Sequence, residues 1–168
     1  MNFKLIAVAL LCVTCLSSTA TAKEEEGLVT LQLLTPETAI ELAQNTLKAC
    51  RNANYQVAVA VVDRMGVTQV LLRDRFAGPH TPETARRKAW TAVSFRVDTL
   101  TLSDRTKPGT PQSGARFVTD ALMIGGGVPV EAGGFIVAGV GVSGGPSGEV
   151  DDACAREGIN AVLEKLEF

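Results

Sequence analysis

Three successive basic residues, Arg86-Arg87-Lys88, follow the sequence's one histidine, His80. Guanidinium and ammonium groups near the free N–H groups of a helix start can hold carboxylates through charge-assisted hydrogen bonds. The same residues also suit a solvated helix face, where Glu83, four positions before Arg87, offsets part of their charge. An imidazole in the loop Gly78-Pro79-His80-Thr81 ligates iron only by swinging into an apolar pocket. Tyr55, Met65 and Met123 are further side chains of ligand type.

A second motif, Gly141-Val142-Ser143-Gly144-Gly145, fits the G-x-S-x-G pattern between a strand and a helix, the setting of a nucleophile elbow. A serine nucleophile needs a base, and in that order the histidine follows the serine; His80 precedes it. The glycines around Gly126, Gly127 and Gly141 could cradle phosphate, yet no G-x-G-x-x-G or G-x-x-x-x-G-K-[ST] stands in its proper setting. Close backbone approach, to a ligand or to a neighbouring subunit, is the alternative use for them. Asp63, Glu83 and Lys88 are the acid–base candidates. Cys50 and Cys154, each in a helical segment with apolar flanks, can bridge in an oxidising compartment or stay as core thiols; the pair is too sparse for a metal centre.

The elements that must position these residues read clearly. Thr35-Pro36-Glu37 opens a helix with a capping hydroxyl, a proline at N1 and an early acid, and Ile40, Ala43, Leu47 and Cys50 give it one apolar face. Val57 to Val62 and Val67 to Arg73 form strands about the turn Asp63-Arg64-Met65-Gly66. The first strand is apolar in both phases, so both its faces are covered. Thr81-Pro82-Glu83-Thr84 repeats the first helix start, with Ala85, Ala89, Ala92 and Val93 as the buried stripe and Trp90 at its margin. Thr99 to Ala115 reads as a long polar surface excursion, with a short helical piece at Arg116 to Ala121. Strands at Val128 to Val130 and Phe135 to Val142 flank a turn at Glu131 to Gly134, and a last helix runs from Val150 to Leu166. Tight hairpins imply antiparallel pairing, hence an α+β (α/β) single domain: an antiparallel β-sheet flanked by helices.

The chain start reads as a secretory leader. Lys4 supplies the basic region, Leu5 to Val13 the apolar one, and Ala20-Thr21-Ala22 a small-residue cleavage site. The apolar run is shorter than the roughly 20 residues a bilayer span takes. Large residues precede Cys12 and Cys15, against a lipid-anchored start, and Cys12-Val13-Thr14-Cys15 lacks the histidine of a covalent haem motif. Residues 1–22 are thus expected as a signal peptide, 23–33 as a mobile leader and 34–168 as the domain, periplasmic or secreted. The net charge of −2, without a block of Lys and Arg, argues against nucleic acid or an anionic membrane as partner.

Four segments occur in the order and spacing of one family. They are Val59-Ala60-Val61-Val62-Asp63 through Gly66, Ala85 with Lys88-Ala89 and Thr91-Ala92, Gly126-Gly127-Val128-Pro129-Val130, and Val140-Gly141-Val142-Ser143-Gly144. Over about Leu34 to Leu166 the chain resembles the GlcG/HbpS, or haem-degrading domain, family. The resemblance implies a profilin-like, GlcG-like sheet-and-helix domain, assembly into homo-oligomers (often octamers), and haem as the bound group. Beside the matched Lys88-Ala89 segment, His80, Arg86, Arg87 and Lys88 are then the expected haem contacts, with the basic groups at the propionates, His80 at the iron and a subunit boundary nearby. Gly126, Gly127, Gly141 and Ser143 become expected ligand or interface positions. The function implied is haem sequestration or sensing outside the cytoplasm. The alternatives are an enzyme that degrades haem or acts on a small carboxylic acid, and a non-catalytic oligomeric scaffold.

Overall fold

Strands β1 (Ala58–Asp63), β2 (Thr68–Arg73), β3 (Gly127–Ala132) and β4 (Phe135–Ser143) pair antiparallel in the order β2-β1-β4-β3. The structure, a computed structural model, describes residues 27–167. The expected signal peptide, with Lys4, Cys12, Cys15 and the cleavage site at Ala22, lies outside the described residues, as do residues 23–26. Residues 27–31 form no helix or strand; the folded unit begins at Gln32.

Helix α1 spans Pro36–Asn52, and the Thr35 hydroxyl accepts a hydrogen bond from the Thr38 amide at its start. Such a cap is worth about 1 kcal/mol. Its buried face is Ala39, Leu42, Ala43, Thr46, Leu47 and Cys50. Ile40, expected on that face, is exposed, because the face turns about Leu42 and Thr46 rather than about Ile40. Strands β1 (Ala58–Asp63) and β2 (Thr68–Arg73) form the expected hairpin. Asp63 shapes its turn by accepting from the Met65 and Val67 amides.

β1 is covered on both faces, as its composition predicts. Val57, Val59 and Val61 join the core beneath α1 and α4 (Gly148–Asn160), and Ala58, Ala60 and Val62 pack against Ala85, Ala89 and Val93 of α2 (Thr81–Phe95). The start of α2 departs from the expected capping. His80, not Thr81, is the cap, its side chain makes no capping bond, and the Thr81 hydroxyl donates back to the Gly78 carbonyl.

The segment expected as a long loop holds a helix. α3 (Thr99–Arg105) is capped by Asp98, whose carboxylate accepts from the Thr101 amide and hydroxyl. A 3₁₀ turn at Ser113–Phe117 replaces the helical piece expected at Arg116 to Ala121. β3 (Gly127–Ala132) is an edge strand carrying Pro129, and runs further than the expected Val128 to Val130. β4 (Phe135–Ser143) lies between it and β1. α4 covers only Gly148–Asn160, opened by the Ser147 cap, and a 3₁₀ turn at Leu163–Lys165 follows it. A disulfide joins Cys50 of α1 to Cys154 of α4, with Cα atoms 5.4 Å apart.

Candidate functional site

Successive residues of a helix point about 100° apart. Arg86, Arg87 and Lys88 accordingly take three different environments. Arg86 lies along the surface, donating from two nitrogens to Glu83 at 2.8 and 2.7 Å and reaching Asp120 at 2.8 Å. The two carboxylates raise the guanidinium above its ordinary range, and Arg86 in turn holds Glu83 below the usual glutamate value. Arg87 donates to the backbone carbonyls of Asp120 and Ala121, at 3.2 and 2.8 Å. Together these two arginines moor the stretch after the first 3₁₀ turn to α2.

Lys88 points into the protein and is 2 % exposed. Its ammonium donates to Asp151 Oδ2 at 2.7 Å and to the Val142 carbonyl at 2.9 Å. Burial pushes the Asp151 carboxyl up, against the pull of Lys88 and of the Gly145 amide that it also accepts from. The expected trio of cations is therefore not one cluster, and Lys88 is spent on an internal ion pair.

The expected ligand glycines are internal too. A Cβ on Gly141 would lie 2.1 Å from the Ala85 carbonyl oxygen, and one on Gly127 2.2 Å from that of Lys88. Both positions are bare so that the backbone of α2 can rest directly on β4 and β3. Gly126, at φ 115°, packs beside Asp151, and Ser143 is buried at the end of β4 opposite Ala58. Gly127, Gly141 and Ser143 lie on strands, and Gly126 immediately precedes β3. His80 is exposed at the helix start, its ring over Gly78. Met123 is buried with Leu102 and Ala121, Tyr55 is half-buried and Met65 is exposed. Of the acid–base candidates, Asp63 serves its turn, Glu83 its arginine and Lys88 its buried partner.

A groove that the sequence reasoning missed opens elsewhere. It encloses about 610 Å³, against about 240 and 100 Å³ for two smaller hollows. Neither the groove nor those hollows includes His80, Arg86 or Arg87. Its charged lining is Arg96, Asp98, Arg105, Glu131 and Arg156. Its apolar lining is Val97, Val128, Pro129, Ile159 and Leu163. The linker after α2, α3, β3, and the end of α4 with the 3₁₀ turn beyond it thus contribute together. Arg156 is committed: it donates to Asp152 at 2.6 Å and lies 3.7 Å from Asp98. Among the described residues, Arg96 and Arg105 have no carboxylate partner.

Arg96 is also conformationally unusual. It ends α2 at φ 56°, ψ 34°, a left-handed position that glycine fills most readily. A side chain there costs on the order of 1 kcal/mol. The helix stop and the Asp98 cap were the sequence signal for this corner.

The model for "Haem degrading protein HbpS-like" matches residues 34–160. The chain belongs to that family. The fold is that of HbpS, whose crystal structure superposes with a TM-score of 0.76 at 40% identity, over 81% of this chain and 94% of that one. The crystal structure of a PduOC–heme complex is similar over 77% of this chain and 94% of its own, at 30% identity and a TM-score of 0.71. The corrinoid adenosyltransferase PduO of Salmonella typhimurium is 32% identical over 124 residues, 73% of this chain. The chain spans only 37% of that enzyme's length.

The groove can be set against the group that these family members imply. Its arginines suit the carboxylates of haem and its aliphatic residues suit a porphyrin face. Its lining contains no imidazole, thiol, thioether or phenol, the usual protein ligands of haem iron.

Proposed function

We propose that this chain is an exported haem-binding protein that holds its ligand by the carboxylates, in the groove of α3, β3 and α4. One observation carries the reading: Arg96 and Arg105, without a carboxylate partner among the described residues, stand over an aliphatic surface. Arg96 and Arg105 take the propionates, and Val128, Pro129 and Ile159 shield part of the ring. The existence of a related structure described as a heme complex supports the choice of ligand. His80 stands at the opposite end of α2, whose 15 residues extend about 22 Å, so it is not a partner of this groove in the same chain.

Export is supported by the basic, apolar and small-residue sequence of the first 22 residues and by the Cys50–Cys154 bridge, a bond that persists in oxidising compartments. Assembly into homo-oligomers is part of the same proposal, with the exposed Phe76, Phe117 and Phe135 as side chains that a second copy would cover. Titration of the purified protein with haemin, followed by absorbance, tests the reading. A saturable Soret shift is expected, with affinity falling about fivefold or more in Arg105→Glu. A shift that does not saturate, or one that ignores the charge reversal, defeats the proposed site.

A further inference from the structure

The groove offers two unengaged guanidinium groups and no iron ligand. From this we infer that it recognises a class of ligand, apolar tetrapyrroles bearing two free carboxylates, whether or not they carry a metal. The inference rests on the reading of the groove as the haem site and names what that site reads.

Two observations point the same way. The third arginine, Arg156, is held by Asp152 and faces Asp98, so it completes the wall without offering an open charge. Arg96 and Arg105 flank α3, one before its cap and one in its last turn, and the seven residues of the helix between rise about 10 Å. Their long side chains can converge on a pair of carboxylates from two sides, which a single cation could not do. Arg96 also holds a backbone conformation where a side chain is disfavoured, so the guanidinium stands at this corner despite the local preference for glycine. The carbon skeleton of the ligand meets Val97, Val128, Pro129, Ile159 and Leu163, none of which distinguishes metal from its absence.

Three ligands separate the terms: haemin, metal-free protoporphyrin IX, and the dimethyl ester of protoporphyrin IX, in which both carboxylates are masked. Each is titrated into the wild-type protein and into the double variant Arg96→Gly, Arg105→Gln, with porphyrin absorbance and fluorescence as readouts. Glycine relieves the left-handed position and Arg105 is exposed, so the variant keeps its fold, which circular dichroism verifies. Haemin and the metal-free porphyrin are expected to bind within about threefold of each other, and the ester and the double variant to lose about tenfold or more. Haemin binding with no binding of the metal-free porphyrin overturns the inference while leaving haem binding standing. Equal binding of acid and ester overturns it as well. Failure of every ligand, haemin included, removes the proposed function and this inference with it.

Discussion

Lys88 and Asp151 show how much one buried pair can decide. Both side chains are almost wholly enclosed, and the ammonium reaches from α2 across to β4 and α4. Removing one partner leaves the other charged and dehydrated. Lys88→Met is therefore expected to cost about 3–5 kcal/mol in denaturant unfolding, and Lys88→Met with Asp151→Leu distinctly less. A double variant as unstable as the single one would show that packing, not charge, sets the cost. Asp74 makes a second, pH-dependent prediction. Two hydrogen bonds from Arg51 hold its carboxyl at about 2, below its ordinary 3.8. A depressed carboxyl stabilises the fold above the unfolded value and loses that contribution as pH falls. Stability should thus decline between about pH 4 and pH 2, and Asp74→Asn should flatten that decline in acid titrations followed by circular dichroism.

At the scale of elements, α2 lies against a track of glycines on β3 and β4, and that contact has no slack. Gly141→Ala puts a methyl 2.1 Å from a helix carbonyl and forces the helix away from the sheet. A loss of about 1–3 kcal/mol or more is expected in thermal or denaturant unfolding. Arg96→Gly, at the end of the same helix, should leave stability within about 1 kcal/mol of wild type. The sheet, its hairpins and helices α1 and α2 were legible in the sequence because period, turn residues and caps agree there. α3 was not: Thr-Leu-Thr-Leu-Ser-Asp-Arg lacks a helical apolar stripe, and only the Asp98 cap announces it. Lys88 was misread for a different reason. Its basic neighbours favour a solvated face, and the partner that permits burial lies 63 residues further on. The groove was invisible because four separate elements supply its lining.

For the whole molecule, the Cys50–Cys154 bridge closes a loop over a sequence separation of 104 residues and ties α1 to α4. In the loop-entropy account a closure of that size is worth about 4–5 kcal/mol. Reduction, or Cys50→Ser with Cys154→Ser, is expected to lower the denaturation midpoint in proportion, with the sheet signature in circular dichroism retained below it. An unchanged midpoint under dithiothreitol would mean that the helices are secured by packing alone. The family resemblance found the architecture; the groove proposed for the ligand lies at the far end of α2 from His80.

The open sheet also has two borders of unequal character. On one border Pro129 cannot donate, and a register shift beside it, between Val130 and Glu131, breaks the regular ladder. The opposite border, β2, has its own register shift opposite Val61 and Val62 but contains no proline, and alternates exposed Thr68, Gln69, Leu71 and Arg73 with half-buried Val70 and Leu72. If two copies ever join by continuing one sheet into the next, the seam will run along β2, and a proline placed at Leu71 would separate them.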